Sequence, residues 1–393
     1  MSASHGIADH SLQRASAPAL SSPNRFKFGL FGANASGGQC GFTLAEGRLE
    51  LKSWGEVDAL ARKADQLGLE AFIPIARWKA PAGPGHTWDR TYETFTWAAA
   101  LAATTQHLQV FATCHVPFFA PVMAAKMVAT VDHISNGRMG LNIVAGYNGP
   151  EFRMFDVPLR AHDRRYAVAD EWTTIIKRLW SDEPSHEFDF EGDYYRLEGA
   201  ESYPKPIQTP YPTIMSAGLS PAGRQFALDH ADILFMAIPD VTEASSNVHR
   251  VRAEAAAAKR EDLRLWSMVH IVCKDSEEEA AAYVRYYAEE KADWEGAHAI
   301  LRILTEGDLR SVEHYKREAL LGALVRSTNA IPLVGTAEQI VDGLEGLADA
   351  GLDGAAIAMV DYDEGLDRLR DEILPLMCNA GLRTGPSGRS PGQ

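Results

Sequence analysis

From residue 26 onward, short apolar runs alternate with amphipathic stretches along the chain. Phe26–Asn34 (FKFGLFGAN) reads as a first strand, and Trp54–Leu67 carries helical spacing that stops at Gly68, a C-cap residue. Ala71–Ala76 (AFIPIA) is a second strand, and the Ala-rich Tyr92–Thr105 is a helix. Leu108–Val116 (LQVFATCHV) is a third strand; a helix over Pro121–Ile134 then closes on Asn136-Gly137, a turn signal. Met139–Ala145 (MGLNIVA) is a fourth strand and Arg164–Trp180 a long helix.

Glu187–Leu197 (EFDFEGDYYRL) reads as a small hairpin turning at Gly192. Pro212–Ala217, Asp232–Ile238 and Leu263–Cys273 are the fifth to seventh strands, with helices from Pro221 and through about Lys259 between them. Ser276–Arg326 is mostly charged and helical, longer than one crossover needs. A helix over Thr336–Ala350, an eighth strand over Gly354–Val360 and a helix over Leu366–Cys378 close the pattern. Continuous apolar strands fit a parallel sheet buried on both faces. Eight strand–helix units predict an α/β fold, a single (β/α)8 TIM barrel with a helical insertion before the last strand. A doubly wound sheet competes, but no strand is followed by a G-x-G-x-x-G turn. The barrel domain is expected over residues 26–380. Residues 1–25, rich in Ser, Ala and Pro without an apolar signal core, and residues 381–393 are expected to be disordered tails.

Composition narrows the function classes. Of 393 residues, 46% are hydrophobic and 23% charged, as in ordinary globular domains. A net charge of −15 repels nucleic acid and anionic membranes, so a phosphate site has to be local. The four cysteines (Cys40, Cys114, Cys273, Cys378) form no C-x-x-C pair, so no zinc ribbon is expected and a reducing cytoplasm suits them. No metal site is read from the sequence, and no run approaches the ~18 apolar residues of a membrane span.

In a (β/α)8 barrel, chemistry sits at the C-terminal ends of the strands. That rule selects Asn34, Arg77 with Trp78, Thr113 with Cys114 and His115, Asn142 to Asn148, Ser216 to Ser220, and Asp361 with Asp363. Ser220-Pro221 reads as N-cap and N1 of a helix after Gly218, which suits a phosphate or simply caps the helix. Arg164, Arg165 and Tyr166 offer cations and a phenol, or a plain helix face. Asn142 lies inside an apolar strand and needs a partner; Arg77 at a strand end is functional or paired. Glu151 is either an acceptor for a bound ring N–H or a surface carboxylate. His115 is either an acid–base group or a satisfied core histidine. Cys114 reads as packing, and Asp361 and Asp363 as loop carboxylates. Trp78, Trp88 and Tyr147 line an aromatic pocket or belong to the core.

Four ordered blocks carry a resemblance: MVATVDHISNGRMGLNIVAG, YNGPEFRMFDVPLRAHDRRY, EGDYYRLEGAESYPKPIQTPYP with SAGLSPAGRQFA, and LVGTAEQIVDGLEGLADAGLDGAAI. Over roughly residues 26–380 the chain resembles the bacterial luciferase-like flavin-dependent monooxygenases, nearest the pyrimidine, dimethylsulfone and alkanesulfonate branch. The resemblance implies a homodimeric or homotetrameric (β/α)8 enzyme that takes reduced FMN from a separate NAD(P)H:flavin reductase. It further implies reaction with O2 through a flavin peroxide to oxygenate a small substrate, an N-heteroaromatic ring, sulfone or sulfonate. By position, Ala76, Arg77, Asn142, Glu151, Arg165, Tyr166 and Ser220 match the FMN-binding residues, and Thr113 matches the threonine of the oxygen pocket, with Ile73 and Ile75 beside it. Thr113, Asn142 and His115 form the expected catalytic group. Tyr147 and Asn148 stand where relatives more often carry Trp and another residue. His115 replaces a small residue of the pyrimidine branch, and the loop Lys79–Asp89 is this chain's own. A deazaflavin-dependent oxidoreductase and a non-catalytic flavin-binding barrel are the alternative readings.

Overall fold

A computed structural model describes residues 17–384 except 182–186, 219, 237, 239–240 and 306–313. Eleven strands are formed: β1 (Lys27–Phe31), β2 (Ala71–Ile73), β3 (Gln109–His115), β4 (Met139–Val144), β5 (Phe188–Glu191), β6 (Arg196–Ala200), β7 (Thr213–Ala217), β8 (Ile233–Met236), β9 (Arg264–Cys273), β10 (Ile331–Gly335) and β11 (Gly354–Ala358). All pairings in the main sheet are parallel, and β9 pairs with both β8 and β11, so the sheet closes as β1-β2-β3-β4-β7-β8-β9-β11. This is the expected (β/α)8 barrel. Strands β5 and β6 form the expected antiparallel hairpin outside it.

Side chains alternate between lumen and helix layer along each strand. Phe31, Ile73, Phe111, Met215, Phe235, Trp266, Met268 and Ala356 form the inner cluster. Gly140 lies beside Phe111 on the paired strand, and a Cβ there would meet the Phe111 ring at 2.4 Å, so glycine makes room for the ring. The outer cluster joins the opposite strand faces to the helices through Trp97, Trp172 and Trp180. Burying side chains of this size contributes roughly 1.5–3 kcal/mol each, which makes these the fold's main apolar supports.

Two expectations change. The stretch between the seventh and eighth barrel strands is helical over Glu277–Arg285, Trp294–Leu304 and His314–Ser327, but it also contains β10. Strand β10 pairs with the second half of β9, from Val269 to Cys273, beyond the part that pairs with β8. The insertion is therefore not purely helical. The chain is also already packed from Ala17, which the expected tail over 1–25 had left loose: Ala17 and Ala19 are buried, and the Ala19 amide donates to Gln109 Oε1 at 3.1 Å. Residues 1–16 and 385–393 of the expected tails, Leu219 and Ala237 lie outside the described residues. Among the described residues, no helix is long and apolar enough to cross a membrane.

Candidate active site

The expected site residues on β3 and β4 are neighbours, because the register pairs Thr113 with Asn142. Thr113 Oγ1 donates to the Pro74 carbonyl at 2.5 Å, and Asn142 Nδ2 donates to Thr113 Oγ1 at 3.1 Å. A hydroxyl whose proton is committed can only accept from the amide, which fixes the amide's orientation. Asn142 Oδ1 is the atom left over, buried with no hydrogen-bond partner.

The short helix Gly149–Met154 begins at Asn148 and carries Pro150 in its first turn, a position that needs no N–H. It buries Glu151 completely. Glu151 Oε1 accepts from the Trp78 and Lys79 amides at 2.9 and 3.1 Å, tying the segment after β2 to this helix. Arg77 Nη1 lies 3.7 Å from the same oxygen. Arg77 Nη2 donates to Tyr147 Oη at 2.8 Å, and the guanidinium stands 4.8 Å from the Trp88 ring centroid. Its Nε and Nη1 are buried without hydrogen-bond partners. His115, the last residue of β3, brings Nδ1 to 3.5 Å from Glu151 Oε2. Neither of those two atoms has a hydrogen bond. Burial pushes the Glu151 carboxyl upward, but His115, the Arg77 charge and the Trp78 amide outweigh it and hold the group below its ordinary range.

Aromatic rings surround this polar group. His115 meets Phe118 and Tyr147 edge-on at 5.8 and 6.4 Å. Phe118 stacks on Phe155 at 4.3 Å, and Trp78 meets Phe155 edge-on at 5.1 Å.

A second feature lies after β7. Ser220 caps the helix Pro221–His230, its Oγ accepting from the Gly223 amide at 3.1 Å. The Tyr166 hydroxyl reaches into this turn: a Cβ on Gly218 or Gly223 would lie 2.6 or 2.8 Å from it. Both glycines are thus required by the close approach of the phenol. Burial raises the Tyr166 phenol above its ordinary value, against the lowering effects of Ser220 and the Arg165 charge. This helix N-terminus presents the positive end of the helix dipole, with the Tyr166 phenol in the turn and the buried Arg165 preceding it in sequence, a setting that suits an anion. The site as a whole offers an unpaired acceptor (Asn142 Oδ1), unpaired donors (Arg77) and a helix N-terminus suited to an anion. That combination matches a planar heterocycle bearing a phosphate.

The sequence profile of the luciferase-like monooxygenases matches residues 28–354. The chain belongs to the luciferase-like monooxygenase family. Among curated relatives in the family, an FMNH2-dependent dimethylsulfone monooxygenase of Pseudomonas putida is 29% identical over 358 residues, covering 89% of this chain and 95% of its own. The pyrimidine monooxygenase RutA of Cronobacter sakazakii is 30% identical over 336 residues, covering 83% of this chain and 96% of its own. The fold agrees with a riboflavin lyase crystal structure at a TM-score of 0.83 and 24% identity, covering 93% of this chain and 94% of that one.

The family assignment rests on the whole barrel, and the site residues divide within it. Arg77, Thr113, His115, Asn142 and Glu151 come together, joined by Tyr147. Arg165, Tyr166 and Ser220 form the separate setting for an anion, and Ala76 is a buried link preceding Arg77. Three other strand-end candidates, Asn34, Cys114 and Asp361, are structural. Asn34 staples Ile75 through both amide atoms, at 2.8 and 2.9 Å. Cys114 faces the helix layer, where burial pushes its thiol well above its ordinary value. Asp361 caps a helix by accepting from the Asp363 and Glu364 amides. Trp88 lies under Arg77 and Trp78 over Phe155, so neither belongs only to the core. Sequence reasoning missed the Phe118–Phe155 stack and His270, a fully buried ring with Nε2 unpaired. The signal for His270 was the alternation Trp266, Met268, His270 along the seventh barrel strand.

Proposed function

We propose that this chain is the oxygenase component of a two-component system in the cytoplasm. It takes reduced FMN from a separate NAD(P)H:flavin reductase and uses O2 to oxygenate a small organic molecule, a heteroaromatic ring, sulfone or sulfonate. The observation that carries this reading is the set of buried unpaired polar atoms at the strand ends, with the helix N-terminus beside Tyr166. A flavin edge has both N–H donors and carbonyl acceptors, and its chain ends in a phosphate, so these residues fit the group. The names of the curated relatives support the same cofactor.

Reduced FMN, when bound, supplies the electrons that activate O2; the protein's part is to bind, orient and exclude water. Ser220 and the N-terminus of its helix would hold the phosphate, with Arg165 and Tyr166 beside it. Asn142 Oδ1 would accept from the ring edge, and Arg77 would donate to it from the Ala76–Arg77 segment. Glu151 keeps that segment in place through the Trp78 and Lys79 amides. Thr113 holds Asn142 in one orientation and shapes the oxygen pocket with Ile73 and Ile75. His115 serves as the acid–base group. The assembly is a homodimer or homotetramer.

The test supplies reduced FMN through a flavin reductase and NADH and follows O2 uptake and substrate loss across a panel of N-heterocycles, sulfones and sulfonates. The expected result is O2 consumption matched to loss of one substrate class and dependent on this chain. Substrate turnover that proceeds without O2 contradicts the reading and turns attention to a hydride-transferring deazaflavin.

A further inference from the structure

The anionic carboxylate of Glu151 is asymmetrically satisfied. Oε1 takes two backbone amides and the nearby Arg77 charge, whereas Oε2 has no hydrogen bond although it is buried. Leaving a buried carboxylate oxygen without a donor is costly. His115 Nδ1, at 3.5 Å and likewise unpaired, is the ring donor beside it. A proton on Nδ1 directed at Oε2 satisfies both atoms, and it leaves Nε2 of the neutral ring as a lone-pair acceptor.

Charge bookkeeping points the same way. Arg77 and Glu151 cancel, so the cluster is neutral while His115 is neutral. A second proton on His115 leaves one positive charge, which an anionic ligand neutralises while Glu151 steadies the imidazolium. The surroundings point to a flat ligand: Phe118 and Tyr147 pack edge-on against His115, Phe155 stacks on Phe118, and Trp78 meets Phe155 edge-on.

Resting on the monooxygenase reading, we infer that His115, oriented by Glu151, is the proton acceptor for the substrate, and that the substrate is a planar ring carrying a weakly acidic N–H or O–H. In the step, the Nε2 lone pair takes the proton. The N–H or O–H bond of the ligand breaks, its electron pair stays on the ligand nitrogen or oxygen, and the ligand is held as its anion. No oxidant or reductant enters this step. Substrates without such a proton, sulfones among them, gain nothing from it.

The probe is 4-nitrophenol, whose anion absorbs in the visible, with 4-nitroanisole as the protonless control. Each is added to the full-length protein, first without flavin and then with FMN bound, at a pH below the probe's own pKa. The expected result is a bound nitrophenolate band, with the ionisation equilibrium moved at least about tenfold toward the anion. His115→Asn keeps a donor toward Glu151 and removes Nε2, so it is expected to bind the probe as the neutral phenol. Glu151→Gln, a second variant that does not depend on the first one folding, is expected to reduce the anion band. A wild-type protein that binds no probe or binds it neutral overturns the inference, as does an undiminished band in both variants. Anaerobic titration with reduced FMN separates the two levels. If reduced FMN fails to bind, the monooxygenase reading falls whatever the probe does; if it binds and the probe stays neutral, only the role of His115 falls.

Discussion

The two ends of the barrel bury similar residue types and treat them differently. At the N-terminal end, the buried charged groups that join strand starts and chain termini are paired. Glu70, just before β2, accepts from the Phe28 amide and from Arg383, at 2.7 and 2.8 Å. Asp132 accepts from the Ile207 and Gln208 amides at 2.7 and 2.9 Å. Arg138 donates to the carbonyls of Ala102, Thr105, Leu108 and Ser135. At the C-terminal end, Arg77, Asn142, Asn148 and Ser216 each keep a buried atom without a hydrogen bond. The contrast separates two uses of buried polarity. Satisfied groups lock strand ends and chain termini together. Unsatisfied groups clustered at the strand ends that carry the site are positioned to bond a ligand.

Breaking the paired end has the largest expected effect. Glu70→Ala leaves Arg383 buried and uncompensated, and stability is expected to fall by about 3–5 kcal/mol in urea unfolding. An unchanged midpoint contradicts the structural role of that pair.

His270 sharpens the comparison through pH. Burial lowers its pKa from 6.5 to about 4, so the folded protein keeps the ring neutral while the unfolded chain takes up a proton. Between those two values the unfolded state binds more protons, so stability decreases as pH falls through this window and flattens below it. The contribution is on the order of 3 kcal/mol. His270→Gln is expected to remove this part of the pH dependence, read as the wild-type minus variant difference in unfolding free energy from pH 7 to pH 4.

At the mouth the effects move from stability to binding. Arg77→Ala and Asn142→Ala are each expected to weaken reduced FMN by about 10–100-fold, the loss of one buried hydrogen bond, and to uncouple O2 uptake from oxygenation. Their melting temperatures are expected to change less than that of Glu70→Ala. A greater loss of stability at the mouth than at the floor reverses the comparison.

The smallest effect is at the helix N-terminus beside Tyr166. Ser220→Ala removes the cap, at a cost of about 1 kcal/mol in stability. It is expected to weaken FMN relative to riboflavin, which has no phosphate.

Much of this was legible in the sequence because the signals are local. The strand–helix alternation gave the barrel, and the helix expected over Pro121–Ile134 has those ends in the structure. Asn142 stood out as an amide inside an apolar run, and Ser220-Pro221 as a cap, both readable within a few residues. What escaped depends on distant partners. Asn34 looked like a site residue until Ile75, far along the chain, was seen to occupy both ends of its amide. Strand β10 carries Pro332 and is fixed by its pairing with β9, which no local pattern reveals. Ala17–Asn24 reads as tail by composition, and is held by Gln109, Glu70 and Thr384. The His115–Glu151 approach likewise links β3 to a separate short helix, and the pairing of β3 with β4 brings the two together.

The most direct test of the central claim, that the unpaired atoms at the mouth are reserved for a flavin, is an anaerobic titration of wild-type protein and the Asn142→Ala variant with reduced FMN. Saturable binding by the wild type, weakened about tenfold or more in the variant without loss of folded protein, is the predicted result. Absence of binding by the wild type, or equal binding by the two proteins, contradicts it.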